Sequence, residues 1–352
     1  MEMPRISGYQ FEKIIGKGAM STVYLALQES LGRRVAIKVL SPGLAGDPIF
    51  SKRFIKEARI IGKLGHPHIV TIFDAGNLDD VYYIAMEYLE GGTLKERIKA
   101  GLTPDQAVTI LCQIARALGR AHQQHCIHRD IKPANILFRN PDTALLSDFG
   151  IAKNTLDKTQ LTAAGWRLGT PNYMSPEQAL AKPTDARSDL YSLGVVFYEM
   201  LTGTRPFQGA DAFDIALKHL KEPVPTLPEP LVRFQPAIER LLAKEPADRF
   251  ANAEELVAAV QDAAARKVAV AQDVAADQTV IMPRPSHRKT GVTPVRDVTS
   301  VEVPAATSLS PPWQRALPWI LAGLLAGLAV LLLYWFWPAL STALSSVAEP
   351  PR

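Results

Sequence analysis

The sequence predicts an α+β chain in two lobes, a small antiparallel β lobe with one helix and a larger, mainly helical lobe, followed by a disordered linker and a single transmembrane helix. Three observations predict this. Short β-type runs occupy Tyr9 to Glu87, helical stretches follow as far as Ala265, and a wholly apolar stretch near the C-terminus stands behind a proline-rich tract. Strands followed by helices argue for α+β architecture, and 352 residues, at about 150 per folding unit, leave room for roughly two units with accessories.

The β-type runs are Tyr9–Gly16, Thr22–Gln28, Arg34–Leu40, Val70–Ala75 and Val81–Glu87. Val23 and Leu25 alternate with Tyr24 and Ala26, as a half-buried strand requires. One helix interrupts them, Phe50–Leu64, with Phe54, Ala58, Ile61 and Leu64 on one face. From Thr93 the pattern turns helical. The Thr103–His125 stretch opens with Thr103, Pro104 and Gln106, a capping box with proline at the first helical position. Further helices fit Asp185–Thr202, Asp211–Leu220, Leu231–Ala243 and Ala253–Ala265.

Composition narrows the function classes. With 47% hydrophobic and 21% charged residues the chain is neither disordered nor collagen-like. Its 39 basic and 35 acidic residues leave a net charge of only +4, too small and too mixed to call for a nucleic-acid partner. Two cysteines, Cys112 and Cys126, make neither a disulfide scaffold nor a four-ligand metal site and fit a reducing setting.

The first twenty residues lack the apolar core and cleavage site of a signal peptide, so the chain is expected to start in the cytoplasm. Residues 266–312 read as a flexible juxtamembrane tether, with six prolines between 283 and 312. The 313–337 segment follows. Its core, Leu317–Trp337, reaches roughly 31 Å as a helix and matches a bilayer core of about 30 Å. Trp313 and Trp319 at one end and Tyr334, Trp335 and Trp337 at the other suit the membrane interfaces. Arg284, Arg288, Lys289, Arg296 and Arg315 precede it, which keeps that side cytoplasmic and puts the 338–352 tail outside.

The chemistry-bearing residues begin at Gly16-Lys17-Gly18-Ala19-Met20-Ser21, a glycine-containing turn between two strand-like runs. Such a turn also fits an ordinary hairpin; a dinucleotide-binding turn would need a helix next. Between strands, positions without side chains let backbone N–H groups approach phosphate oxygens. Lys38 ends the apolar run Val35-Ala36-Ile37, where a lysine is more often a solvated edge charge. Glu57, on the apolar-faced helix, offers the carboxylate that would justify an inward ammonium.

Two further motifs follow, His128-Arg129-Asp130-Ile131-Lys132-Pro133-Ala134-Asn135 and Asp148-Phe149-Gly150. With the glycine turn and Lys38 they resemble, in order and over residues 9–265, the eukaryotic-like (Hanks-type) protein kinases, specifically bacterial membrane-anchored serine/threonine kinases. The resemblance implies a two-lobed protein-kinase-like fold with residues 9–87 as the first lobe and 88–265 as the second. It implies transfer of the γ-phosphoryl group of ATP to serine and threonine hydroxyls, with Mg²⁺ as cofactor and Mn²⁺ as substitute.

Carried over by position, Lys38 would hold the α/β-phosphates and pair with Glu57, and Asn135 and Asp148 would ligate the metal. Asp130 would accept or orient the substrate hydroxyl's proton, and Lys132 would steady the γ-phosphate, in the manner of the serine/threonine branch. Gly16, Lys17, Gly18 and Ser21 would cover the phosphates. Met86-Glu87-Tyr88-Leu89 would be the adenine hinge with Met86 as gatekeeper, and Val23 and Ala36 would pack on the ring. Gly169-Thr170 and Ser175-Pro176-Glu177 resemble the peptide-positioning segment, held by an ion pair between Glu177 and Arg249. Asp189 resembles the residue that braces the catalytic loop.

Arg129, beside Asp130, resembles an arginine that awaits a phosphate, which makes Thr155, Thr159 and Thr162 the expected sites of activating autophosphorylation. Loop filler is the plainer reading of these threonines. Gly323 and Gly327 would let two membrane helices approach in a homodimer, and Thr279, Thr290, Thr293 and Thr299 are candidate phosphorylated docking points. The expected partners are ATP, protein substrates, a second copy of the chain and membrane lipid. The expected location is the inner or plasma membrane with the kinase part cytoplasmic. Two other classes stay open, a catalytically silent scaffold and a sensor with an exterior ligand, although Lys38, Asp130 and Asp148 are all present and the tail is short.

Overall fold

The structure, a computed structural model, describes residues 3–277 except 19, 79 and 150–170; the side chains at 57 and 267–277 are also outside the description. The chain divides into two compact units, Met1–Met282 and Pro283–Arg352, and the second lies outside the described residues.

The first lobe is a five-stranded antiparallel sheet. Its strands are β1 (Tyr9–Lys17), β2 (Ser21–Gln28), β3 (Arg33–Leu40), β4 (Ile72–Leu78) and β5 (Val81–Glu87), in the order β1-β2-β3-β5-β4. β3 is paired at both edges and buries residues on both faces, Val35 and Ile37 on one and Leu40 on the other, which explains its apolar run. Val35 and Ile37 are buried with Ala26 and Ala85 against Tyr9, Phe11, Phe73 and Tyr83. Leu40, on the other face, joins the main core with Phe54, Ala58 and Ile61 of α2. A short helix α1 (Pro42–Ala45) precedes α2 (Pro48–Gly62). Asp47 caps α2 by accepting the Ile49 and Phe50 N–H groups at 2.8 and 3.4 Å, so the helix starts two residues before the expected Phe50 and leaves Leu64 just past its end.

The second lobe is built on α4 (Pro104–Gln123) and α6 (Ala186–Thr202). Thr103 and Gln106 form the expected capping box. α6 is buried almost all round, from Ser188 to Tyr198, as a core helix enclosed by its neighbours should be. Around these two lie α3 (Leu94–Ala100), α5 (Pro176–Ala179), α7 (Ala212–Lys221), α8 (Gln235–Leu241) and α9 (Ala253–Asp277).

The departures from the sequence expectation are local. The expected Leu231–Ala243 helix is a 3-10 segment, Glu229–Phe234, followed by α8, because Pro236 can donate no N–H and suits only a helix's first turn. α9 continues past Ala265 to Asp277, so the backbone at 266–277, expected as tether, is helical. A hairpin of β6 (Ile136–Asn140) and β7 (Thr143–Leu146) had no counterpart in the expectation. Among the described residues no helix is long and apolar enough to cross a membrane; the 313–337 segment expected to do so, the rest of the tether and the tail lie outside them.

Candidate active site

Strand register puts the expected nucleotide-binding residues on one surface. Antiparallel partners share a face, and residues two apart on one strand do too. Gly16 lies opposite Val23, Val23 opposite Lys38, Lys38 opposite Ile84 and Ala36 opposite Met86. Gly18 donates its N–H to the Ser21 carbonyl at 2.9 Å, closing the glycine turn as a hairpin between β1 and β2. Leu89 follows β5 and is half-buried. Glu87 turns its carboxylate to Arg139 in a bidentate pair at 2.7 and 2.9 Å, while its backbone N–H donates to Thr71. Lys17 is exposed at the end of β1.

Lys38 is drawn inward, its side chain only 16% exposed, and its ammonium lies 2.6 Å from the Asp148 carboxylate. Burial acts to raise the Asp148 pKa, but Lys38 beside it outweighs burial and holds the carboxyl below its ordinary value. Lys38, Ile84, Met86, Asp148 and Phe149 line one cavity, together with Ile61 of α2. The backbone at Glu57 lies within α2; its side chain is outside the described residues, so the Lys38–Glu57 pair is not among the observed contacts.

The segment His128–Asn135 gathers the second set. Lys132 Nζ lies 2.7 Å from Asp130 Oδ2. Asn135 Nδ2 donates to the Asp130 backbone carbonyl at 2.8 Å and to Oδ2 at 3.1 Å, fixing the carboxylate from two directions. His128 ties this set to the first. Its Nε2 lies 2.9 Å from the Ser147 carbonyl, its Nδ1 accepts the Asp130 N–H at 3.2 Å, and its ring meets Phe149 in a tilted contact with centroids 4.5 Å apart. The two contacts define the tautomer, with the proton on Nε2. Burial pushes the imidazole pKa below its ordinary value, against the neighbouring carboxylates, and keeps it neutral.

Two residues hold left-handed backbone here, Arg129 at φ 63° and Asp148 at φ 54°. Such strain persists only where surroundings over-determine it. For Arg129 the constraint is Asp189, 1% exposed, whose two oxygens accept the His128 and Arg129 N–H groups at 2.8 Å each. His122 holds Asp189 Oδ2 from the other side at 2.8 Å. Arg129 Nε donates to Thr184 at 3.1 Å.

Glu177 and Arg249 form the expected buried pair, with bidentate contacts of 2.8 and 2.9 Å. Burial alone would raise the Glu177 pKa, but the Arg249 and Ser188 hydrogen bonds bring it below its ordinary value. Ser175 caps α5 with Gln178, and Gln178 Nε2 donates to the Arg129 carbonyl at 3.0 Å. That link was not anticipated, although the Ser-x-x-Gln spacing marks the cap; neither was the role of His122. Thr155, Thr159, Thr162, Gly150, Gly169 and Thr170 lie outside the described residues.

Asn135 and Asp148 offer amide and carboxylate oxygens, the donors a hard dication such as Mg²⁺ takes, so the residues present fit the metal the resemblance implies.

Comparison with known proteins agrees with this geometry. The protein kinase domain family matches residues 9–260. The serine/threonine-protein kinase PrkC of Bacillus subtilis is 44% identical over 266 residues, covering 74% of this chain and 41% of that protein. The serine/threonine-protein kinase pkn3 of Myxococcus xanthus is 40% identical over 314 residues, covering 84% of this chain and 57% of that protein. The chain thus spans between 41% and 57% of the length of these relatives. The crystal structure of the Mycobacterium tuberculosis PknI kinase domain superimposes with a TM-score of 0.60 at 29% identity, covering 75% of this chain and 100% of that one. With its two lobes, its lysine–aspartate pair and its looped Asp130 in the family's order, the chain belongs to the protein kinase domain family.

Proposed function

We propose that the chain is an ATP-dependent serine/threonine protein kinase of the bacterial Hanks type. The observation that carries this reading is the convergence of two charged sets through one buried histidine: Lys38 on Asp148 at 2.6 Å, and Lys132 and Asn135 on Asp130, joined by His128. Phosphoryl transfer asks a protein for positioning and charge neutralisation more than for covalent chemistry.

In this reading the Gly16–Ser21 hairpin and Lys38 hold the phosphates, and Val23, Ala36, Met86 and Leu89 enclose the base. Asp130, its Oδ2 held by Lys132 and Asn135, orients the substrate hydroxyl and accepts its proton. Lys132 neutralises charge on the transferred group. Asn135 and Asp148 would hold Mg²⁺, or Mn²⁺, which when bound offsets the phosphate charge. Glu57 of α2 pairs with Lys38.

The test is incorporation of labelled phosphate by the full chain with ATP and Mg²⁺, beside Asp130→Asn and Asp148→Asn. Wild type should label itself and a generic acceptor protein on serine or threonine, and both variants should fall by about 10²–10³-fold, the scale at which charge-stabilising groups act in such sites. Wild-type transfer no higher than that of the variants would leave a nucleotide-binding scaffold.

Three further parts belong to the proposal. Residues 313–337 anchor the chain as one membrane helix with the kinase part cytoplasmic, supported by the charge-free apolar run and its basic flank; resistance to alkaline extraction tests it. Autophosphorylation at Thr155, Thr159 or Thr162 orders the activation segment; mass spectrometry of active protein with no phosphate on any of them removes the idea. Close approach at Gly323 and Gly327 pairs two copies; equal autophosphorylation by Gly323→Leu counts against it.

A further inference from the structure

The strip that joins the lobes, from Glu87 to Thr93, is fastened at both ends to a single strand, β6. At its far end the Gly91 N–H donates to the Phe138 carbonyl and the Phe138 N–H to the Gly92 carbonyl, at 3.0 Å each, and Thr93 bridges to Leu137. The approach is so close that a Cβ at Gly91 would strike the Phe138 carbonyl. At its near end the tie is a side chain. Arg139, the next residue on β6, donates from Nε and Nη2 to the two Glu87 carboxylate oxygens at 2.7 and 2.9 Å, across 52 positions of sequence. The Glu87 side chain is only 20% exposed and that of Arg139 39%. Single-contact ion pairs at such exposure contribute little, but a two-pronged guanidinium fixes direction as well as charge. Its hydrogen bonds outweigh burial and hold the Glu87 carboxyl below its ordinary value. Between the two ties the Leu89 N–H has no partner among the described residues.

We propose that Arg139 is a positioning residue for the purine base: by gripping Glu87 it holds the backbone from Glu87 to Leu89 in place, and so sets both the affinity for adenine and the choice of adenine over guanine. The inference rests on the reading of this strip as the base-binding edge of the nucleotide cleft. Adenine presents an amino donor beside an acceptor ring nitrogen, whereas guanine presents an acceptor oxygen beside a donor N–H. A backbone edge held in one place matches the first order of groups and leaves polar groups unpaired against the second, a mismatch that discriminates strongly. An edge free to shift recovers part of the lost pairing. Affinity follows the same logic, because a strip that is already ordered loses no freedom when the base arrives. The phosphates belong to Lys38 and the glycine turn, so the effect of Arg139 is confined to the base.

The experiment is equilibrium binding of ATP, GTP, adenosine and tripolyphosphate to the full chain in detergent micelles. Each is measured by displacement of a fluorescent ATP derivative whose own affinity is determined for every variant. Arg139→Ala should raise the Kd for ATP and for adenosine by about fivefold and that for GTP by less, which narrows the preference for ATP. Tripolyphosphate should bind as to wild type, which also shows that the variant keeps a folded cleft. Glu87→Gln should act in the same direction, and Glu87→Gln/Arg139→Ala should be no worse than the weaker single variant. Arg139→Lys, which keeps the charge without the fork, should fall between. Equal affinities of wild type and Arg139→Ala for ATP and adenosine overturn the proposal. So does an equal loss for ATP and GTP, or a loss shared by tripolyphosphate, which would make the pair a clamp on the lobes. A wild type that transfers no phosphate yet shows the expected binding pattern removes the kinase reading and leaves this inference standing; a wild type that binds no adenine compound removes both.

Discussion

Asp189 holds Arg129 by its backbone: one carboxylate oxygen accepts the Arg129 N–H at 2.8 Å while Arg129 stands at φ 63°. The other oxygen takes the His128 N–H and faces His122. The loop that presents Asp130 is thus fastened to the buried helix α6 rather than supported by its own sequence.

Removing that fastening should be felt in turnover more than in nucleotide affinity. Asp189→Ala leaves two buried N–H groups unpaired, at about 1–3 kcal/mol each, and frees Arg129 to relax from its strained conformation. A displacement of about 1 Å at the reacting group costs about 10²-fold in rate. Steady-state kinetics should therefore show kcat down by about that factor with the KM for ATP little changed. Asp189→Asn, which keeps the shape but sets an NH₂ against one of the donors, should fall between. A fall in nucleotide affinity that matches the fall in kcat would contradict this assignment.

Arg249 is the second fastening. Besides Glu177 it serves the carbonyls of Ala243, Lys244 and Arg187, so one guanidinium joins α5, α6 and the segment before α9. Arg249→Ala leaves Glu177 buried and unpaired, a change that costs about 3–5 kcal/mol. Glu177→Gln/Arg249→Met should lose less than the sum of the single losses, since neither partner is stranded. Calorimetric unfolding of wild type, Arg249→Ala, the two single variants and the double variant checks both statements.

The local half of this architecture was legible in the residue order. Val35 to Leu40 announces a strand by its apolar run, and Thr103, Pro104 and Gln106 announce the start of α4, because both signals lie within one element. The β6–β7 hairpin was not legible. Its strands are held from a distance, by the Val70 N–H on the Leu146 carbonyl and the Gly91 N–H on the Phe138 carbonyl, and three apolar residues in each strand do not announce that. The site divides in the same way. Lys38, Asp130, Asn135 and Asp148 stand in recognisable motifs, whereas His122 and Gln178 act through partners 67 and 49 residues away, a relation no spacing encodes.

His219 should write a signature into the pH dependence of stability. It is fully buried on α7, bonded through Nδ1 to the Tyr191 hydroxyl at 2.9 Å. Burial first, and the Lys244 cation second, push its pKa down from 6.5 to about 4. The unfolded chain takes up this proton below about pH 6.5, and the folded chain refuses it until about pH 4. The unfolded state binds more protons across that window, so stability is lost as pH falls through it, by up to about 3 kcal/mol. His219→Gln should be less stable at pH 7 and lose stability less steeply between pH 6.5 and 4 in denaturant titrations. Glu177→Gln should lower stability across the whole range by stranding Arg249, and should flatten only the limb below about 4.5, where the depressed carboxyl of the wild type is finally protonated.

Gly194 tests whether packing or propensity rules α6. It lies in the middle of that helix, where alanine is favoured over glycine by about 1 kcal/mol. A Cβ there, however, would meet the Leu241 Cβ at 2.6 Å and Leu242 Cδ2 at 3.2 Å. The first is an atom tied to the α8 backbone, not the end of a flexible side chain, so the two helices must move apart. Overpacking of this kind costs about 1–3 kcal/mol, which outweighs the gain. Gly194→Ala should lower the unfolding temperature by several degrees, at about 2–4 °C per kcal/mol for a domain of this size. Leu241→Ala should not rescue it, because alanine keeps the clashing Cβ. Gly43→Ala, in α1 with nothing within 4 Å of the new atom, should leave the unfolding temperature unchanged or raise it, which separates a helix-packing cost from any general intolerance of alanine for glycine.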